Sequence, residues 1–75
     1  MWGDLKWKKA KKGKIAIISF WNSNYFWDGI HTIAIFYSGG KWKAYNYNSK
    51  DETTRSFNKL SDILKNKVFI RGYVF

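Results

Sequence analysis

The sequence contains no cysteine and no proline, a single histidine and only five acidic residues. Without cysteine it has no disulfide staple, no thiolate metal ligand and no thiol nucleophile of its own. One histidine, His31, excludes a zinc finger or a His-rich metal site, and the scattered acids show no metal-ligand spacing, so neither metal nor cofactor is expected. No G-x-S-x-G elbow or phosphate-binding loop is present. The longest uncharged run, residues 15–27, contains Ser and Asn and is too short and too polar to span a bilayer. The Lys-rich N-terminus leads into β-branched residues without a small-residue cleavage site, so the cytoplasm is the default address.

What is present points to one small folded domain, residues 1–75. Five Trp, five Tyr and six Phe supply enough large apolar surface to form a core without staples, and they speak against disorder. Fourteen basic residues against five acidic ones give a net charge of +9. The excess is concentrated in the basic segment 1–13 and the lysine after it: residues 1–14 hold six Lys and one Asp. Such a field attracts nucleic acid, an anionic surface or an acidic partner, and it also keeps a small aromatic-rich protein soluble.

Periodicity divides the chain into an N-terminal helical segment and a sheet-and-helix core over residues 14–75. In residues 1–13, Trp2 and Leu5 share a helical face with Ala10 nearby, and Gly13 marks the stop. Residues 14–21 form an apolar run expected to be an interior strand buried on both faces. Residues 22–29 read as an aromatic loop. Residues 30–37 and 41–47 form a hairpin around Ser38-Gly39-Gly40. A two-residue Gly-Gly loop sets Tyr37 against Trp42, Ile35 against Ala44, Ile33 against Asn46 and His31 against Asn48. A four-residue loop sets His31 against Asn46 instead. Residues 48–56 are a polar connection, 58–66 a helix with Asn58 as N-cap and Leu60, Ile63 and Leu64 as buried stripe, and 68–75 a closing strand. In that strand, alternation groups Val68, Ile70 and Gly72 on one face and Phe69, Arg71, Tyr73 and Phe75 on the other. The expected fold is α+β, an antiparallel sheet of about four strands with a helix near 58–66.

The stretch GIHTIAIFYSGGKWKAYNYNS, with KIAIISFWN before it and FNKLSDILKNKVFIRGYVF after it, resembles the C-terminal sheet half of papain-like cysteine peptidases, in particular the bacterial C39-like branch. The resemblance covers roughly residues 13–75. It implies that His31 occupies the place of the catalytic general base and Asn46 that of the residue orienting it, with Asn48 as a neighbour able to substitute. Leu60-Ser61-Asp62-Ile63-Leu64 matches the closing helix and Phe69-Ile70-Arg71-Gly72-Tyr73-Val74-Phe75 the closing strand. The departure is decisive for chemistry. The half bearing the Cys nucleophile is absent, and a base without a thiolate forms no thioester. Alone, the chain is expected to be catalytically silent. The partners expected are a second copy of the chain or a separate Cys-bearing chain, drawn to apolar surface that the missing lobe leaves open.

Each candidate has a plainer explanation beside it. A strand-end His is often only half exposed at a sheet edge, and Asn is common where a strand enters a turn. Trp7, Lys8, Lys9, Lys11, Lys12 and Lys14, with Lys41, Trp42 and Lys43, form a basic aromatic patch suited to phosphates, bases or a membrane interface. The plain alternative is a solvated terminus whose Trp anchors on the core. The runner-up function is therefore a cationic binding module for nucleic acid or an anionic surface, and the third a cationic antimicrobial protein.

Overall fold

A computed structural model describes residues 4–21, 29–48 and 50–75, with side chains from residue 6 onward. The expected aromatic loop at 22–29 and the helical face of Trp2 and Leu5 therefore lie outside the described residues, Gly29 apart. The chain is α+β. Among the described residues five antiparallel strands form one sheet in the order β4-β3-β2-β1-β5, with two short helices.

The sheet starts from β1, Ala16–Trp21, and β2, Ile30–Ser38, which pair so that Ala16 faces Ile35, Ile18 faces Ile33 and Phe20 faces His31. Gly39 and Gly40 follow with φ of 62° and 78°. Two successive left-handed residues make the hairpin turn whose twist matches the strands, which is why two glycines stand there. β3, Lys41–Tyr45, returns in the register of the two-residue loop, Tyr37 against Trp42 and Ile35 against Ala44. The expected strand 41–47 stops at Tyr45, because Asn46 turns left-handed with φ 62°. The pairs proposed beyond that point, Ile33 with Asn46 and His31 with Asn48, do not form in the ladder.

β4, Thr54–Phe57, adds a fifth strand that overlaps the end of the stretch expected to be a polar connection, 48–56. It is a short edge strand with three exposed residues, so it carries none of the apolar alternation that marks a strand in sequence. Asp51 organises the approach to it, accepting from Thr53 Oγ1 at 2.5 Å and Arg55 Nε at 2.7 Å. The helix expected over 58–66 is confined to α2, Leu60–Leu64. Its N-cap position falls on Lys59, not Asn58, and no side chain caps it. β5, Val68–Val74, closes the sheet against β1.

A register shift between Ser19 and Phe20 breaks the expected alternation of β5. Arg71 pairs with Ser19 but Phe69 pairs with Phe20, so Ile70 is the extra residue of a bulge. Phe69 consequently joins Gly72 and Val74 on the covered face, while Tyr73 and Arg71 stay on the other. At Gly72, a Cβ would lie 2.5 Å from Ile18 Cδ1 and 2.9 Å from the Ile17 carbonyl oxygen, so only glycine lets β5 approach β1 there.

One face of the sheet holds the core. Ala16, Ile18 and Phe20 of β1, Ile33 and Ile35 of β2, and Trp42 and Ala44 of β3 are buried with Ile63 of α2. β1 is interior as expected, but its odd positions are not buried with the even ones. The N-terminal helix α1, Asp4–Lys11, packs on β2 and β5. Among its described side chains Trp7 and Ala10 are buried, and the Trp7 ring meets Trp42 edge-on with centroids 6.1 Å apart. The helix ends with Lys12 and Gly13 N–H groups bonded to the Lys9 and Ala10 carbonyls, Gly13 at φ 103°. Among the described residues no helix is long and apolar enough to cross a membrane.

Candidate functional site

His31 is the second residue of β2 and shares the covered face with Ile33 and Ile35, at the end of the sheet. It is half-buried. Its Nε2 lies 2.6 Å from the main-chain carbonyl oxygen of Asn46. A carbonyl only accepts, so Nε2 carries the hydrogen and donates. In the neutral ring this makes Nδ1 the basic nitrogen.

The left-handed backbone at Asn46 creates this geometry. Asn is among the few side-chain-bearing residues that adopt it readily. It swings the Asn46 carbonyl off the β3 ladder toward the start of β2. The Asn46 side chain meanwhile donates from Nδ2 to the Thr32 carbonyl at 3.2 Å, locking the turn onto β2 next to His31. The four-residue-loop pairing of His31 with Asn46 does not form; His31 meets Asn46 instead through the main chain of the turn after β3, and not through the Asn46 amide. Asn48 stands in the following turn, exposed, and its carbonyl accepts from Asp51 N–H at 3.0 Å.

Lys67 is the residue that sequence reasoning missed at this end of the sheet. Its Nζ donates to Tyr47 Oη at 3.0 Å and to the Ile63 carbonyl at 2.8 Å. It sits 4.3 Å from the Tyr47 ring centre and 5.8 Å from that of Phe20, the residue paired with His31. A single Lys between α2 and β5 has no motif to announce it.

The basic aromatic patch is divided by the fold. Trp7 and Trp42 are buried, at 9% and 8% exposure, and lie against each other, so neither can stack on a base. Lys8, Lys9, Lys11, Lys12 and Lys14 are exposed on and just after α1, over the covered face. Lys41 and Lys43 alternate with Trp42 and so project from the opposite, open face of the sheet. The Trp residues act as core anchors, and the lysines form two separate groups.

The open face is a second candidate. Trp21, Tyr45, Tyr73 and Phe75 are all more than two-fifths exposed. Tyr73 and Phe75 meet edge-on at 5.6 Å. Between them and the far end of β1 lies a polar row, Thr32, Ser19 and Arg71, in which the Ser19 and Thr32 hydroxyls bond at 2.8 Å. A depression of about 410 Å³ opens over this row, lined by Ile17, Ser19, Thr32, Arg71, Gly72 and Tyr73.

Comparison with protein-family models, with curated proteins and with solved structures finds no match for the chain.

Proposed function

We propose that the chain is the histidine-bearing sheet half of a papain-like, C39-like cysteine peptidase, silent alone and completed by a separate Cys-bearing chain. The observation that carries this reading is the hydrogen bond from His31 Nε2 to the Asn46 carbonyl. It fixes Nε2 as the donor, so that in the neutral ring the basic lone pair is on Nδ1, the tautomer a base of this kind uses. The chain has no cysteine, so a thiol must come from elsewhere. A second copy cannot supply one, which favours a separate Cys-bearing partner over a homodimer.

The test is co-expression with the isolated Cys-bearing helical half of a C39-like peptidase, followed by assay on a fluorogenic peptide. Expected are no hydrolysis by the chain alone, hydrolysis by the pair, and its loss in His31→Ala while the two chains still co-purify. Two chains that do not associate, or that associate without activity, overturn the reading.

The main-chain nature of the contact makes a sharper prediction. Asn46→Gly keeps the left-handed backbone and the carbonyl, so His31 retains its Nε2–H tautomer in nitrogen-detected NMR. Asn46→Val disfavours that backbone by about 1–2 kcal/mol and is expected to release the ring into a mixture of tautomers. Equal behaviour of the two variants would show that Asn46 does not hold the ring.

A second reading, a cationic binding module, is favoured by a different observation. The open face combines exposed aromatic rings with basic residues and no acid from any strand.

A further inference from the structure

Residues paired across the strands form rows on the open face. One row runs Tyr45–Ala34–Ile17–Tyr73, from β3 to β5. The next runs Thr32–Ser19–Arg71, and beyond it Ile30–Trp21–Val68. A band of two hydroxyls and a guanidinium thus lies between two aromatic-bearing rows. In the first of these, Ala34 and the half-buried Ile17 keep the middle low, so Tyr45 and Tyr73 stand at its ends, about 14 Å apart at three strand spacings. None of the five strands contains Asp or Glu, and the charges they project from this face are Lys41, Lys43 and Arg71.

We propose that this face binds single-stranded nucleic acid. The Arg71 guanidinium and the Ser19 and Thr32 hydroxyls receive a backbone phosphate in the depression beside Tyr73. Tyr73 and Tyr45 offer ring faces to unpaired bases on either side. This occupant meets every feature of the surface. A duplex does not, because its bases are already stacked and its major groove admits a helix or a two-stranded ribbon rather than a five-stranded sheet. A bilayer does not, because the polar row crosses the middle of the face and would lose its water without gaining partners. A second copy would bring Arg71 and Lys43 against their like on a chain already carrying +9. The proposal is independent of the peptidase reading, since His31 points to the other face of the sheet.

The test is fluorescence anisotropy of labelled oligo(dT) and oligo(U) with the intact chain over a salt series. Binding is expected for both, with a log–log salt slope of roughly −0.7 for each phosphate contacted. Tyr73→Ala should weaken it about five- to hundredfold, the range for loss of one stacked base. Arg71→Ala should weaken it and flatten the salt slope by about one contact. Ser61→Ala, exposed on α2, whose Ile63 packs on the covered face, should leave binding unchanged whether or not the peptidase reading holds. Both Tyr73 and Arg71 are exposed, and circular dichroism checks each variant. If Tyr73→Ala fails to fold, Tyr45→Ala and oligonucleotide quenching of the wild-type tyrosine and tryptophan fluorescence replace it. Three outcomes overturn the proposal: duplex DNA bound as tightly as single strands, Lys12→Ala costing as much as Tyr73→Ala, or binding to phosphatidylglycerol vesicles with none to oligonucleotide.

Discussion

The covered and the open face of this sheet are made by the same strands, yet only one is packed. In β1, Ala16, Ile18 and Phe20 are sealed under the helices, while their neighbours Ile17, Ser19 and Trp21 look the other way. The buried centre of the covered face is aliphatic and aromatic, with His31 at one end and Arg55 on the edge strand. The open face also carries apolar side chains, among them Ile17, Trp21, Ala34 and Tyr73, but interrupts them with Ser19, Thr32, Lys43 and Arg71. Apolar content alone does not decide which face becomes a core. Two amphipathic helices can cover one side of a small sheet, and they settle where no polar side chain would be stranded without water.

The largest expected effect breaks that contrast directly. Ile33 and Ile30 lie three residues apart in β2, at 1% and 49% exposure on opposite faces. Ile33→Ala is expected to cost about 2–5 kcal/mol. That is a large share of the roughly 4–11 kcal/mol a domain of this length possesses. Ile30→Ala is expected to change stability by no more than about 0.5 kcal/mol. Urea denaturation of both variants measures the difference, and comparable losses would mean that the open face is packed too.

A smaller effect sharpens the comparison at the β1–β5 seam. Gly72→Ala pushes a methyl group into Ile18 Cδ1 and the Ile17 carbonyl, with an expected cost of about 1–3 kcal/mol. The Ile18 side chain can rotate away; the carbonyl cannot without opening the ladder. Weakened amide protection in β5 but not in β3 is the expected hydrogen-exchange pattern.

The smallest effect concerns the β3–β4 connection, which belongs to neither face. The Thr53 hydroxyl, and after it the Arg55 guanidinium, hold the Asp51 carboxyl below its usual value of 3.8, against an opposing effect of burial. A carboxyl depressed in the folded state adds stability above its unfolded value, and that contribution disappears as pH falls through the folded one. Unfolding midpoints followed from about pH 5 down to about pH 2 should therefore fall less steeply in Asp51→Asn than in the native chain. Parallel curves would show that the Thr53 and Arg55 contacts do not outlast solvation.

Several parts of this architecture are legible residue by residue. Gly39-Gly40 between two apolar runs specifies a two-residue hairpin, and with it the pairing of Ile35 with Ala44. That His31 lies near an asparagine at the far end of the hairpin is legible for the same reason, but the two-residue register points to Asn48 rather than Asn46. The form of the contact is not legible, because it depends on the left-handed turn at Asn46 and on which group that turn aims at the ring. β4 escapes notice because an edge strand satisfies half its backbone with water and needs no apolar signature. Trp7 and Trp42 mislead because lysines surround both, and a Lys-rich helix can still bury one Trp beneath it.

Composition and pattern by themselves determined the class of this protein: a cysteine-free, strongly basic α+β domain built on a glycine hairpin. These follow from local rules, such as strand periodicity, turn chemistry and the residue types a site requires. Only the tertiary structure decided which face of the sheet the helices cover, where β5 bulges so that Phe69 turns inward, and that His31 meets a carbonyl while Arg71, Ser19 and Thr32 fall in one row. Those outcomes depend on which residues distant in sequence become neighbours, and that is set by competition for burial across the whole chain.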